Sequence, residues 1–211
     1  MRTRTALHII MFNVQSYPLI SDQIEYAELA VIIRELERAL DDNVPGAIVE
    51  VGCYTGTTAL FIQRVLKDTP RPFHVYDSFA GLPPKVAADN SPAGEQFKAG
   101  ELTATKAQLI QNFKRAGLPL PIIHKCWFEE LTTNDLPELI AFAFLDGDFY
   151  TSIKSSLHAI TPLLAPGAII VVDDYQSEAL PGAQKAVDEW AHQHNQQVRA
   201  EKSLAIITYS A

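Results

Sequence analysis

Cysteine is scarce and basic charge is never gathered. Cys53 and Cys126 are the two cysteines of the chain and show no CxxC or Cys/His spacing. That argues against a disulfide framework or a zinc ribbon, and it makes a reducing, cytoplasmic setting the expectation, with both thiols as small buried fillers. Lys and Arg number 17 against 25 Asp and Glu, a formal net charge of −8 with no basic stripe. Nucleic acid and anionic membrane surfaces are therefore poor partners, and small molecules come first. No apolar run approaches the roughly 20 residues of a membrane span. The stretch Ala6 to Phe12 behind Arg2 and Arg4 is too short for a signal peptide and lacks a small-residue cleavage pattern. Internal repeats and low-complexity tracts are missing as well.

What is present suits one globular domain: 211 residues, 47% of them hydrophobic, can bury a sizeable core. From Asp22 to Leu40, apolar positions recur at helical spacing opposite Glu25, Glu28, Arg34, Glu35 and Arg38. This predicts an amphipathic helix capped by Ser21 or Asp22, with a solvated charged face. Residues 1–43 thus form an N-terminal segment and helix packed on a core of residues 44–211, and this segment could also dock on a second copy of the chain.

After Gly46 the pattern alternates strand and helix, the signature of βαβ units and a parallel sheet. Strands are expected at Ala47 to Val51, Phe73 to Tyr76, Pro121 to His124, Ala141 to Leu145 and Ala168 to Val172, followed by Gln197 to Ala200 and Leu204 to Thr208. Helices are expected at Thr57 to Leu66, Leu102 to Ala116, Ser152 to Leu164 and Pro181 to His194. Between Gly81 and about Gly100 lies a Pro-, Ala- and Gly-rich loop, long enough to be a substrate lid or a disordered segment.

Two apolar strands end in acids: Leu145-Asp146-Gly147-Asp148 and Val172-Asp173-Asp174. Ligands of open α/β sheets collect outside the carboxyl ends of the strands, so these carboxylates would crowd one crevice, and crowding of that kind needs a cation. An oxygen-only donor set suits Mg²⁺ and not zinc.

The first strand runs into Val49-Glu50-Val51-Gly52-Cys53-Tyr54-Thr55-Gly56. Glycines here let the backbone approach a ligand, and the following helix offers free N–H groups, so Gly52, Tyr54, Gly56, Thr57 and Thr58 are candidate cofactor contacts. A carboxylate at Glu50 would repel a pyrophosphate but suits a cationic amino-acid group. Asp77 ends the second strand, where nucleoside-binding folds hold ribose hydroxyls. S-adenosylmethionine satisfies both demands.

Val44-Pro45-Gly46-Ala47-Ile48-Val49-Glu50-Val51-Gly52, Tyr76-Asp77-Ser78-Phe79-Ala80-Gly81-Leu82-Pro83, Leu145-Asp146-Gly147-Asp148-Phe149-Tyr150, Val172-Asp173-Asp174-Tyr175 and Pro181-Gly182-Ala183-Gln184-Lys185-Ala186-Val187-Asp188 resemble, in this order, the macrocin O-methyltransferase family. The resemblance implies a class I methyltransferase fold: a Rossmann-like, mostly parallel seven-stranded sheet flanked by helices, its last strand antiparallel. It implies O-methylation of a deoxysugar or other diol in secondary metabolism, with S-adenosylmethionine and Mg²⁺. It also implies Asp146, Asp173 and Asp174 as metal ligands, Asp148 as general base, Asp77 and Ser78 on the ribose, and Phe128 and Asp146 completing the cofactor site. Cys126 stands where the family has glycine, and Tyr54-Thr55-Gly56-Thr57 replaces its usual Trp-Arg-Gly-Gly.

Two other readings compete. Asp146-Gly147-Asp148 also spells the D-x-D of metal-dependent glycosyltransferases, which would leave Glu50 and Asp77 without a task. A protein that binds S-adenosylmethionine without catalysis is the other, since folds host many functions.

Overall fold

The structure is a computed structural model that describes residues 12–94 and 96–210. Its centre is a seven-stranded sheet in the order β3-β2-β1-β4-β5-β7-β6. The strands are β1 (Ala47–Val51), β2 (Phe73–Asp77), β3 (Ile122–Lys125), β4 (Ile140–Leu145), β5 (Leu164–Val172), β6 (Arg199–Glu201) and β7 (Leu204–Thr208). β1 through β5 pair in parallel, and β7 runs antiparallel to both β5 and β6. β1 and β4 are buried at every position, as expected of central strands covered on both faces, which is why they read as unbroken apolar runs. The helices are α1 (Tyr26–Asp41), α2 (Thr57–Leu66), α3 (Lys106–Ala116), α4 (Tyr150–Ile160) and α5 (Pro181–Gln193). This is the class I methyltransferase architecture that the motifs imply. The strand order reverses between β1 and β4, so the crevice beyond their carboxyl ends is where such sheets bind ligands.

β1 and α2 begin and end where the sequence places them, and other boundaries move for local reasons. α1 starts four residues late: Glu28 Oε2 accepts the Glu25 N–H at 3.1 Å, so the capping pair lies inside the expected helix. α3 starts at Lys106 because Thr105 and Gln108 form a reciprocal cap, with Gln108 Oε1 accepting the Thr105 N–H at 2.8 Å and Thr105 Oγ1 accepting the Gln108 N–H at 3.2 Å. α4 stops at Ile160, where Pro162 in the next turn lacks the N–H that a further helical bond needs. β5 extends back to Leu164 through an irregularity at Pro166 and Gly167, pairing Ile140 with Leu164 and then Phe142 with Ile169.

The charged side of α1 is not simply solvated. Glu35 is buried and accepts from Arg34, Arg38 and Arg199, while Arg34 also reaches Glu201 at 2.7 Å. This network ties α1 to β6, as α1 lies across β4, β5 and α2. Residues 1–11, including most of the apolar N-terminal run, lie outside the described residues. Among the described residues no helix is long and apolar enough to cross a membrane.

Candidate active site

At the carboxyl ends of β1, β2, β4 and β5 the backbone ladder continues one residue past each strand. Asp146 N–H bonds the Val51 carbonyl at 2.8 Å, Asp173 N–H the Leu145 carbonyl at 2.9 Å, and Gly52 N–H the Tyr76 carbonyl at 2.8 Å. A cleft of about 810 Å³, counted to its open mouth, lies over these ends. Gly52, Cys53, Tyr54, Asp77 and Ser78 form one side of its lining, the four aspartates of the β4 and β5 ends another, and Trp127 and Phe128 a third.

On the first side, Asp77 Oδ2 accepts the N–H groups of Cys53 at 2.8 Å and Tyr54 at 3.1 Å, and its Oδ1 accepts that of Phe79 at 2.7 Å. Three of the roughly four acceptor sites of a carboxylate are thus used to hold the turn, and one is left for a ligand. Gly52 has φ +90°, and a Cβ there would stand 1.8 Å from the Asp146 carbonyl oxygen, so only glycine fits. Glu50 is fully buried, and neither carboxylate oxygen has a hydrogen-bond partner. Burial, with the nearby Asp77 charge, pushes its carboxyl well above the usual range. Glu50 does not itself line the cleft, but an orphaned carboxyl buried directly behind the turn favours a cation near it, so the residues present suit S-adenosylmethionine.

Gly56, Thr57 and Thr58 are not among the residues lining the cleft. A Cβ at Gly56 would lie 2.3 Å from Leu109 Cδ1, so that glycine admits α3. Thr57 Oγ1 pairs with Ser21 Oγ at 2.7 Å. Ser78 lines the cleft, with its hydroxyl donating to the Gly81 carbonyl at 3.2 Å.

Asp146, Asp148 and Asp174 each offer an oxygen within 4.8 Å of the others. Asp148 and Asp174 sit at φ +57° and +58°, a costly backbone for non-glycine residues of the kind that concentrates at functional sites. Asp173 also lines the cleft but stands outside that trio: its Oδ1 accepts the Asp174 N–H at 2.8 Å and faces Ser203 Oγ at 3.4 Å. The resemblance implies Asp173 as a ligand and Asp148 as the base, whereas this arrangement groups Asp148 with Asp146 and Asp174. The Asp174 N–H occupies Asp173 Oδ1, and Asp173 still lines the cleft.

Among the described residues none of the four is ion-paired with Lys or Arg. Burial, then Asp173, pushes Asp148 up to about 7 and holds Asp146 and Asp174 well above the carboxylate range. Burial pushes Asp173 to about 6. Crowded oxygen donors without a basic partner fit a hard divalent cation.

Sequence reasoning missed the apolar part of the lining. Leu82, Phe97, Leu102 and Leu180 line the cleft, and Leu82 and Leu180 pack with Phe149 in a small core of their own. Large apolar residues inside an otherwise polar loop were the available signal. The loop is closed at its base, with Leu82 N–H on the Glu101 carbonyl and Gly100 N–H on the Leu82 carbonyl, both at 2.9 Å.

The macrocin-O-methyltransferase (TylF) family profile matches residues 22–204. The chain is 33% identical over 153 residues to an 8-demethyl-8-(2,3-dimethoxy-alpha-L-rhamnosyl)-tetracenomycin-C 4'-O-methyltransferase of Streptomyces olivaceus, covering 68% of this chain and 58% of that protein. It is 31% identical over 170 residues to a mycinamicin III 3''-O-methyltransferase of Micromonospora griseorubida, covering 75% and 65%. The match thus spans about three fifths of the length of these curated relatives. Among solved structures, the O-methyltransferase NovP superposes with a TM-score of 0.76 at 23% identity, covering 88% of this chain and 80% of that one.

Proposed function

The chain belongs to the macrocin-O-methyltransferase family, and from that premise we propose that it is an S-adenosylmethionine- and Mg²⁺-dependent O-methyltransferase acting on a hydroxyl of a small molecule. The acceptor is a deoxysugar or another vicinal diol of a secondary metabolite, a class in keeping with the sugar-modifying relatives. One observation carries the reading: a single cleft joins the Gly52, Tyr54 and Asp77 turn to Asp146, Asp148 and Asp174, which have no Lys or Arg partner among the described residues.

When bound, S-adenosylmethionine supplies a methyl group already activated by its sulfonium, and the cation supplies a Lewis acid. Glu50 balances the cationic amino group, Gly52 and Tyr54 bring the backbone against the ligand, Asp77 and Ser78 hold the ribose, and Phe128 flanks the base. Asp146 and Asp174 hold the cation. Asp148, grouped with them in the cleft, would take the acceptor's proton as general base. Asp173 fixes the Asp174 backbone through its N–H. The wall of Leu82, Phe97, Leu102 and Leu180 keeps water from the reacting oxygen and suits the apolar face of a deoxysugar.

A second assignment has an observation in its favour: the 4.8 Å grouping makes Asp148 a third cation donor. Asp148→Asn separates the two. A base predicts Mn²⁺ affinity within about threefold of wild type with turnover down by about 10²-fold or more, and a donor predicts loss of both.

The function itself is tested by calorimetry with S-adenosylmethionine and by methyl transfer to a panel of 6-deoxysugars and catechols, with Mg²⁺ and with chelator. Binding and Mg²⁺-dependent transfer are expected. Binding without transfer to any diol favours a non-catalytic protein, and binding of a nucleotide sugar instead favours a glycosyltransferase. The acidic balance supports the absence of nucleic-acid and membrane partners, and the free cysteines support a cytoplasmic setting. Self-association of α1 and the N-terminal segment into a homo-oligomer belongs to the same proposal.

A further inference from the structure

Asp89 lies in the middle of the loop after β2, yet it is 1% exposed. It closes a short 3-10 turn, Ala87–Asp89, and both of its oxygens are used. Oδ2 accepts the Val86 N–H at 2.9 Å, and Oδ1 accepts the Tyr150 N–H at 2.7 Å. Tyr150 is the first residue of α4, whose own N-cap, Phe149, offers no side-chain cap. The first N–H groups of a helix have no partner within the helix, and a carboxylate there is favoured by the helix dipole as well. Asp89 therefore caps α4 from 61 residues away.

The capped position directly follows Asp146-Gly147-Asp148-Phe149, a turn so tight that the Phe149 N–H reaches the Gly147 carbonyl at 2.6 Å. A third element meets the same point. A Cβ on Gly182, in the first turn of α5, would stand 1.9 Å from Asp89 Oδ1 and 2.7 Å from the Tyr150 nitrogen. The loop is pinned a second time, independently, by Ser91 Oγ donating to the Glu178 carbonyl.

We propose that Asp89 is a positioning residue: its carboxylate locks the loop of residues 82–100 onto the start of α4 and so sets the turn that carries Asp146 and Asp148. Docking of the loop and assembly of the acidic group are then one event. The apolar wall from the loop and the carboxylates of the same cleft arrive together. The inference rests on the cation-binding reading for its functional consequence, though not for the contact itself.

The test uses the full chain with Asp89→Ala, Asp89→Asn, Gly182→Ala and, as a control on the other pin, Ser91→Ala. Hydrogen exchange is followed in the peptide spanning residues 146–151, Mn²⁺ and S-adenosylmethionine binding by calorimetry, and kcat and KM for any acceptor found. Asp89→Ala is expected to speed exchange in that peptide and weaken Mn²⁺ binding about tenfold or more, the scale seen when groups behind metal ligands are removed. S-adenosylmethionine affinity stays within about threefold, since Asp77 and Glu50 are not in contact with the loop's carboxylate. Asp89→Asn falls between, because its amide oxygen satisfies one of the two N–H groups. Gly182→Ala reproduces the Mn²⁺ loss with the carboxylate still present, and Ser91→Ala leaves Mn²⁺ binding within about twofold.

A folded Asp89→Ala protein with wild-type exchange and wild-type Mn²⁺ affinity overturns the proposal, as does Ser91→Ala matching it in size. If Asp89→Ala does not fold, Asp89→Asn and Gly182→Ala decide by the same readouts. If the wild type binds no Mn²⁺, the cation reading fails, and exchange at residues 146–151 decides on Asp89 alone.

Discussion

The carboxylate of Asp77 accepts the backbone N–H of Cys53 at 2.8 Å and so ties the end of β2 to the turn leaving β1. The same oxygen takes the Tyr54 N–H, and its partner oxygen takes that of Phe79. A residue expected to face a ribose is thus also the clamp that shapes the cofactor turn. Asp77→Ala strips three N–H groups of their acceptor and should lower stability by about 2 kcal/mol. S-adenosylmethionine affinity should fall about tenfold or more, since both the remaining acceptor site and the turn are lost. Thermal unfolding and calorimetry measure the two. An unchanged dissociation constant removes Asp77 from the cofactor site.

Glu50 has the opposite character: a carboxyl in the central strand with no hydrogen-bond partner, pushed well above the usual carboxylate range by burial and by the Asp77 charge. Glu50→Gln keeps the shape and removes the ionisation. The free protein should be as stable as wild type or more so at pH 8, where ionising the buried carboxyl is penalised. Its affinity for S-adenosylmethionine should drop by about tenfold or more, with a smaller loss for an analogue lacking the amino group. Equal losses for both ligands would show that Glu50 does not meet the amino group.

The raised carboxyls predict an inverted pH dependence. Asp148 and Asp173 ionise at about 7 and about 6 in the folded protein, whereas in the unfolded chain they ionise near about 4. Between these limits the folded state binds more protons, so stability contributed below about pH 4 is lost as pH rises towards 7. The ion pairs work in the other direction but lower down. Glu201, held at about 2 by Arg34, loses its contribution only as pH falls from about 4. In chelator the melting temperature should therefore fall by about 3 °C or more from pH 5 to pH 8. Mg²⁺ should shrink that fall by binding the ionised acids. A flat or rising profile in chelator contradicts the assigned shifts.

Glu35→Gln should destabilise the protein by about 1–2 kcal/mol. The estimate is set below the range for fully buried pairs because the Arg34, Arg38 and Arg199 side chains are 39%, 40% and 51% exposed. Differential scanning at low and high salt measures it, and the loss should be smaller at high salt.

Elements whose determinants are local were legible in the sequence. β1 is an apolar run between Gly46 and Gly52, and α2 follows the turn that ends at Gly56, so both were bounded correctly. α3 was overextended because Leu102 looks helical, while the Thr105 and Gln108 cap that starts the helix depends on side chains meeting in space. Glu35 reads as a solvated face residue, and the arginine that buries it from β6 lies 164 positions away. The four strand-end aspartates were found because each closes an apolar strand. That Asp148 groups with Asp146 and Asp174 while Asp173 Oδ1 takes the Asp174 N–H is a matter of side-chain torsions that no spacing encodes. Asp89 had no pattern around it at all.

The contact between Gly52 and Asp146 bears on how such a protein can change. The Gly52 backbone lies so close to the Asp146 carbonyl that a Cβ would stand 1.8 Å from its oxygen, and the Asp146 N–H bonds the Val51 carbonyl at 2.8 Å, so the ends of β1 and β4 are held side by side. Substitution at rim positions such as Phe97 and Leu102, which line the cleft, leaves that joint untouched, whereas Asp89 in the same span is bound to the start of α4. On the proposed function, acceptor preference is rewritten from that rim while the strand ends beneath it stay in register.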